Sequence, residues 1–154
     1  MLLYKKILKK LILNKISIST AESCTGGLLA YCLTKNKDSS KVFKCGYITY
    51  SNQSKIKDLN VKNKILKKFG AVSSEVARNM VKGLYLKNKT DICIATTGIA
   101  GPGGATKNKP VGLVFISIQY KLKTMVIKKK FSGSRIQIQK KCVDFIFKYL
   151  DKLI

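Results

Sequence analysis

The chain alternates short apolar segments of strand-like composition with amphipathic helical segments, and this alternation limits the folds that it can adopt. We expect helices over residues 3–14, 26–33, 51–59, 62–70, 73–88 and 135–154, and strands over residues 16–20, 44–51, 91–98, 113–120 and 124–131. The last two strands are separated only by a short lysine-containing break, which predicts a hairpin. Strands separated by helices and ending in a hairpin predict an α/β sandwich with a mixed sheet. The length of 154 residues predicts one domain over residues 1–154.

The absence of histidine removes several kinds of active site. A chain without histidine can build no Ser-His-Asp triad, no Cys-His dyad and no His-ligated metal site. Any acid–base chemistry must therefore use Lys, Tyr, Glu or Asp. The five cysteines form no C-x-x-C pair and most lie in apolar surroundings, so we expect buried free thiols.

The net charge of +24 suggests a nucleic-acid-binding surface, because lysine and arginine neutralise phosphates. Only Arg78 and Arg135 among the 31 basic residues are arginines, however. The lysines are spread over helical and strand-like segments alike, without an RNP, zinc-finger or helix-turn-helix pattern beside them. We therefore expect a solvated lysine-coated surface and no specific nucleic-acid partner.

The apolar segments also bear on location. Lysine interrupts every apolar run well before the roughly 18 residues of a membrane span. The N-terminal residues lack the separate charged and apolar blocks of a signal peptide. We expect no membrane association and a cytoplasmic location.

Two glycine-rich segments follow strand segments, where open α/β sheets bind ligands. The first, Glu-Ser-Cys-Thr-Gly-Gly at residues 22–27, leads from a strand into a helix; it binds an anion, carries a nucleophile or forms only a tight turn. The second runs from residue 98 to residue 112 and contains five glycines. Neither matches the dinucleotide-binding fingerprint or the P-loop.

Six segments in order carry a resemblance to a known family: TAESCTGG (20–27), GYITYSNQSK (46–55), GAVS (70–73), TGIAGPGG (97–104), KPVGLVFI (109–116) and FSGSR (131–135). Over nearly its whole length the chain resembles the nicotinamide-nucleotide amidohydrolase family, the stand-alone form of the CinA C-terminal domain. The resemblance implies a three-layer α/β/α domain that hydrolyses the carboxamide of nicotinamide mononucleotide to nicotinate mononucleotide and ammonia. It implies a Ser-Lys pair, no metal and no other cofactor. A small-molecule nucleotide is then the expected partner, and a homodimer the expected assembly.

The family pair maps onto Ser23 as nucleophile and Lys55 as base. A lysine with its ordinary pKa of about 10.4 is protonated at neutral pH, so burial or neighbouring positive charge must lower the pKa of Lys55. We expect the N–H groups of Thr25 and Gly26 to hold the oxyanion at the helix N-terminus. Cys24 is the rival nucleophile, because a thiol at a helix N-terminus has a depressed pKa.

Further residues complete the expected site. Glu22 orients Lys55 or the ribose, or only occupies the turn; Tyr50 lines the site or is a core aromatic. The substrate phosphate is expected on the backbone N–H groups of the second glycine-rich segment and on the guanidinium fork of Arg135. The glycines expected there are Gly98, Gly101 and Gly103.

Two positions depart from the family pattern. Ser134 stands where the family usually has an acidic residue, and Gln139 stands where it often has a basic one. These departures leave open a catalytically weakened relative that binds nucleotides, with a basic nucleic-acid-binding protein as a further alternative.

Overall fold

The computed structural model describes residues 2–154, which form five strands and six α-helices. In chain order they are α1 (Leu2–Leu13), β1 (Ile18–Glu22), α2 (Leu28–Thr34), β2 (Phe43–Ile48), α3 (Asn52–Leu59), α4 (Asn63–Phe69), α5 (Ser74–Asn88), β3 (Ile92–Gly98), β4 (Leu113–Tyr120), β5 (Lys123–Lys130) and α6 (Arg135–Leu153). A short 3₁₀ helix at Ser39–Lys41 precedes β2. None of these helices is long and apolar enough to cross a membrane.

The five strands form one mixed sheet in the order β2-β1-β3-β4-β5. The strands β2, β1 and β3 run parallel, whereas β4 pairs antiparallel with both β3 and β5. The predicted hairpin is confirmed: its turn residues Lys121 and Leu122 both have positive φ, at 48° and 64°. Two consecutive residues with positive φ match the twist of a two-residue hairpin turn.

Helices cover both faces of the sheet, which confirms the three-layer α/β/α architecture. The helices α1, α2 and α6 pack on one face, and α3, α4 and α5 pack on the other. Alternate residues of β3 enter the two cores: Ile92 and Ile94 face the first, and Cys93 and Ala95 face the second. A strand buried on both faces explains why its sequence reads as a continuous apolar run.

Several element boundaries differ from the sequence-based prediction by two or three residues: β1 begins and ends two residues later, α2 begins two residues later, and β2 ends at Ile48, three residues earlier. The strand β1 begins later than expected because the Ile16 N–H bonds to Leu11 O at 2.9 Å and so closes the end of α1. The helix α2 begins after the glycine pair because Gly26 and Gly27 have φ of 58° and 100°, outside the helical region.

The parallel pairing of β1 with β3 positions the two glycine-rich segments. The C-terminal ends of the two strands lie side by side at one edge of the sheet, because Glu22 of β1 pairs opposite Thr96 of β3. The Ser23 N–H continues this pairing by donating to Thr96 O at 3.0 Å. The chain therefore leaves β1 and β3 into one shared region.

Candidate active site

Ser23 and Lys55 come together at this edge from different elements. Ser23 directly follows β1, and Lys55 lies in the first half of α3. The start of α3 is held by Ser51, whose hydroxyl accepts the Ser54 N–H and so sets the helix face on which Lys55 stands. Lys55 Nζ lies 3.1 Å from Ser23 Oγ, which confirms the predicted proximity of the amine and the hydroxyl.

The Lys55 amine is held in a site almost without solvent. The residue is 1% exposed, and burial lowers the pKa of Lys55 from 10.5 to about 8. Its Nζ also donates to Thr49 O at 2.8 Å and to Tyr50 O at 3.2 Å. A neutral amine has two N–H groups, which match the two carbonyls and leave its lone pair for the Ser23 hydroxyl. The same carbonyls stabilise the ammonium that forms when the amine takes a proton.

Cys24 does not offer a competing nucleophile. Its side chain packs in the core between the sheet, α2 and α6, where the residue is 6% exposed. Burial raises the pKa of the Cys24 thiol to about 12, the opposite of the depressed value expected for a thiol at a helix N-terminus. The thiol therefore stays protonated at neutral pH. The four cysteines Cys24, Cys32, Cys93 and Cys142 are buried, Cys45 is partly buried, and all five are free within residues 2–154.

Glu22 binds the N-terminus of α2 rather than Lys55. Its carboxylate accepts the N–H groups of Gly27 at 3.1 Å, Leu29 at 3.1 Å and Ala30 at 2.8 Å. The residue is 1% exposed, so these three bonds satisfy an otherwise unpaired buried charge. Of the roles expected for Glu22, the structure therefore matches a structural role in the turn. Lys55 does not contact Glu22 and donates instead to the carbonyls of Thr49 and Tyr50.

Of the two oxyanion donors expected, Thr25 and Gly26, the structure contradicts only Gly26. The Gly26 N–H donates to Ser23 O at 3.1 Å and closes the turn. The N–H groups that find no acceptor among residues 2–154 are those of Cys24 and Thr25, one position earlier in the chain. Of these two residues, Cys24 lines the cavity beside Ser23. The helix N-terminus itself is occupied by Glu22 and is not free for the oxyanion.

The second glycine-rich segment lines the same cavity with open backbone donors. Its base is closed by Ile99 N–H to Leu113 O at 2.9 Å and Gly112 N–H to Ile99 O at 2.7 Å. Among the cavity-lining residues between these bonds, four have N–H groups that donate to no acceptor among residues 2–154: Ala100, Gly101, Gly103 and Gly104. Successive open N–H groups in a bend form a concave anion site. The three predicted glycines, Gly98, Gly101 and Gly103, all line the cavity.

Arg135 and Tyr50 meet at the mouth of the cavity. Arg135 is the first residue of α6 and donates from one terminal nitrogen to Gly101 O and from the other to Tyr50 OH, each at 2.7 Å. Tyr50 is 60% exposed, so it lines the site and is not a core aromatic. A guanidinium has five N–H groups, so others remain for a ligand. The phosphate role of Arg135 stays a prediction.

Both departures from the family pattern have structural contacts. Ser134 caps α6 in a capping box with Gln137. The Gln139 side chain, one helical turn after Arg135, donates to Cys24 O at 2.9 Å. Gln139 was noted in the sequence only as a departure, and its contact with the turn beside Ser23 was not predicted.

The cavity has a volume of about 280 Å³ and brings together Ser23, Lys55, Tyr50 and Arg135 with the second glycine-rich segment. Thr97, which the sequence analysis did not single out, also lines it and donates to Ala71 O at 2.7 Å. Its position at the C-terminal end of a buried strand was the available signal. The carbonyls that hold Lys55 carry no such signal, because every residue has one.

A larger cavity, of about 710 Å³, lies at the opposite end of the parallel strands. It is lined by the segments that follow α1, α5 and α6, so the carbonyl ends of three helices point towards it. Lys15, Lys89 and Lys121 stand around it. Neither Ser23 nor Lys55 lines this cavity, which separates it from the chemistry described above.

Comparison with known sequences gives a consistent family. A family model for the CinA C-terminal domain matches residues 2–154. The chain is 47% identical over 133 residues to a putative competence-damage inducible protein of Caldicellulosiruptor saccharolyticus, covering 86% of this chain and 32% of that protein. It is 52% identical over 128 residues to a CinA-like protein of Fusobacterium nucleatum, covering 83% of this chain and 31% of that protein. The chain thus spans about a third of the length of these curated relatives.

Solved structures of the same superfamily share the fold. A competence-damaged protein (CinA) superfamily protein from Escherichia coli matches with a TM-score of 0.94 and 32% identity, covering 99% of this chain and 88% of that one. The competence/damage inducible protein CihA from Agrobacterium tumefaciens matches with a TM-score of 0.94 and 35% identity, covering 98% of this chain and 93% of that one.

Proposed function

Because the chain belongs to the CinA C-terminal domain family, we propose that it hydrolyses the carboxamide of nicotinamide mononucleotide to nicotinate mononucleotide and ammonia. The observation that carries this proposal is the buried amine of Lys55, with a pKa of about 8, lying 3.1 Å from the Ser23 hydroxyl. A nucleophile beside its base is what an amide hydrolase without histidine requires. The choice of nicotinamide mononucleotide rests on the resemblance of the six motif segments to the nicotinamide-nucleotide amidohydrolases.

In the acylation step, Ser23 Oγ attacks the carboxamide carbon while its proton passes to Lys55 Nζ. The new C–O bond forms as the electron pair of the C=O bond moves onto oxygen. The open N–H groups of the turn that follows Ser23, those of Cys24 and Thr25, donate to this oxyanion. The carbonyls of Thr49 and Tyr50 stabilise the new ammonium of Lys55.

The tetrahedral intermediate then collapses with cleavage of the C–N bond. Lys55 returns its proton to the departing nitrogen, and ammonia leaves an ester on Ser23. In the second half of the reaction, Lys55 takes a proton from a water molecule that attacks the ester carbon. Collapse of this second intermediate breaks the ester C–O bond, Lys55 reprotonates Ser23 Oγ, and nicotinate mononucleotide is released.

The remaining cavity wall suits the nucleotide part of the substrate. The four open N–H groups between Ile99 and Gly112 provide a site for a phosphate dianion, and the free N–H groups of Arg135 add charge to it. A volume of about 280 Å³ is at the small end of small-molecule sites, which favours a mononucleotide over a dinucleotide.

Ammonia release from the purified protein tests the proposal. We expect release with nicotinamide mononucleotide as substrate and none with the Ser23→Ala variant, whose fold is checked by circular dichroism. Nicotinamide riboside serves as the matched substrate without phosphate. A wild-type protein that binds nicotinamide mononucleotide in calorimetry but releases no ammonia would instead indicate a nucleotide-binding module.

A further inference from the structure

The turn that carries Ser23 is contacted by α6, a helix far away in the sequence. Gln139 reaches across to it, and its Nε2 donates to Cys24 O at 2.9 Å. On the same face of α6, one turn earlier, Arg135 reaches the second glycine-rich segment. The helix α6 therefore contacts both glycine-rich segments: Arg135 binds the second segment, and the side-chain amide of Gln139 binds the turn that carries Ser23.

The contact of Gln139 is with a backbone group, and it limits the conformation of Cys24. The peptide plane before Cys24 is held because Ser23 O accepts the Gly26 N–H at 3.1 Å. The plane after Cys24 is held because Cys24 O accepts the amide of Gln139. The two dihedral angles of a residue define how its flanking planar peptides are oriented. The first plane carries the Cys24 N–H and the second carries the Thr25 N–H, so the Gly26 bond holds the first donor and the Gln139 bond holds the second.

The far end of the turn is also held, by a different residue. Glu22 binds the N–H groups at the start of α2, including Gly27 at 3.1 Å. This contact satisfies the helix N-terminus with a protein carboxylate, so it offers no donors to the substrate. The N–H groups of Cys24 and Thr25 then remain as the open donors of the turn that carries Ser23.

We propose that Gln139 is a positioning residue, which acts by donating to Cys24 O and thereby holds the Cys24–Thr25 peptide of the turn whose open N–H groups receive the oxyanion. The inference rests on the proposed function for its reaction, but its geometry concerns any acyl or phosphoryl group that reaches Ser23. The required property is a donor at position 139. A carbon chain of the same length without a donor does not meet this requirement, whereas a lysine does.

Two matched substitutions separate these cases. Gln139→Met keeps the length of the side chain and loses the donor, and Gln139→Lys keeps a donor. Gln139 is only partly buried, so both variants are expected to fold, which thermal melting checks. Steady-state kcat and KM are measured on nicotinamide mononucleotide. The labelling rate of Ser23 by an alkyl fluorophosphonate is measured by mass spectrometry.

The fluorophosphonate reports on the turn without the natural substrate. Ser23 Oγ forms a bond to phosphorus, the P–F bond breaks, fluoride leaves and the Ser23 proton passes to Lys55. The phosphoryl oxygen occupies the position of the oxyanion during this step. The labelling rate therefore depends on how the turn holds its open N–H groups, even for a protein that accepts no nicotinamide nucleotide.

We expect Gln139→Met to lower kcat and the labelling rate about tenfold, as for partial loss of an oxyanion contact, with KM within twofold of wild type. Gln139→Lys should stay within about threefold of wild type in both rates. The apparent pKa of the pH–rate profile should not move, because Lys55 is untouched. An unchanged apparent pKa with lowered rates would place the effect in the oxyanion donors of the turn and not in the Lys55 base.

Three results would overturn the inference: unchanged rates in Gln139→Met, an equal loss in Gln139→Lys, or a higher KM at unchanged kcat. If the wild-type protein labels at Ser23 but releases no ammonia, the proposed function fails while the labelling ratio still decides the role of Gln139. If the wild-type protein neither labels nor releases ammonia, both fail.

Discussion

The two glycine-rich segments leave neighbouring parallel strands at the same edge of the sheet, yet their hydrogen bonding is opposite. In the turn after β1, Gly26 and Gly27 donate within the protein and Cys24 O accepts from Gln139. In the segment between Ile99 and Gly112, the N–H groups of the four cavity-lining residues have no acceptor among residues 2–154.

This difference corresponds to two tasks in one site. A nucleophile and its oxyanion donor must be held to a fraction of an ångström, because misplacement is costly in rate. An anion site instead needs donors that have no partner before the ligand arrives. The first segment is therefore held by bonds to Glu22 and Gln139 with two N–H groups left open, whereas the second leaves the N–H groups of four cavity-lining residues open.

The largest effect is expected from the bonded turn, at the nucleophile itself. Ser23→Ala removes the atom that forms the covalent bond and should lower kcat by about 10³-fold or more. Cys24→Ala changes a side chain that lies in the core and should keep most of the activity. Ammonia release measures both. Activity in Ser23→Ala together with inactivity in Cys24→Ala would assign the chemistry to the thiol.

The next largest effect is expected from pH, through the protonation of Lys55. The neutral amine of Lys55 is the active form, so protonation below its pKa of about 8 removes the base. We expect kcat/KM to rise about tenfold per pH unit from pH 6 to pH 8 and to level off above that value. The profile should be recorded on nicotinamide mononucleotide between pH 6 and pH 9.5. A rate that falls with rising pH over this range would exclude Lys55 as a neutral base.

The open segment can be disturbed by a single methyl group. A Cβ at Gly101 would lie 2.5 Å from Val111 Cγ1, and its φ of 79° is unfavourable for alanine. Gly101→Ala should therefore shift the open N–H groups and raise KM for the nucleotide about 30-fold, with a smaller change in kcat. Gly103→Ala is the matched control, since a Cβ there would meet nothing within 4 Å. An equal effect of the two substitutions would contradict a preformed anion site.

The smallest effect is expected at the mouth. Arg135→Lys keeps the charge but loses the planar fork that bonds Gly101 O and Tyr50 OH. We expect KM for nicotinamide mononucleotide to rise about tenfold, from a loss of about 1–2 kcal/mol, with little change in kcat. The unphosphorylated riboside should be affected less. Equal harm to both substrates, or a lower kcat alone, would place Arg135 in catalysis or folding.

The sequence was a good guide to the fold because each element carried a local signal. Apolar spacing located all the helices and strands, and their order implied the mixed sheet and its hairpin. The errors were at boundaries, where single backbone bonds decide. The Ile16 N–H bonds back to α1, and Gly26 has a positive φ, so α2 begins later. Neither feature can be recognised from the spacing of apolar residues.

For the site, the motif segments led to Ser23 and Lys55, but the roles within the turn were not readable. Thr25 and Gly26 were expected as oxyanion donors because they precede a helix. Glu22 was expected to orient Lys55 or the ribose, or only to occupy the turn. In the folded chain its carboxylate occupies the helix N-terminus and the Gly26 N–H closes the turn, which leaves the N–H groups of Cys24 and Thr25 open.

The amino-acid sequence by itself determined the layers of the fold, because side-chain type and periodicity carry that information. The two glycine-rich segments were visible in composition, and the resemblance of the motif segments to a known family pointed to Ser23 and Lys55. Only the tertiary structure decided the pKa of Lys55, the inertness of Cys24 and the contact of Gln139 with the turn. Each of these depends on desolvation or on a backbone group brought close by distant parts of the chain. Backbone carbonyls and N–H groups are the same in every residue, so their use becomes visible only when the chain is folded.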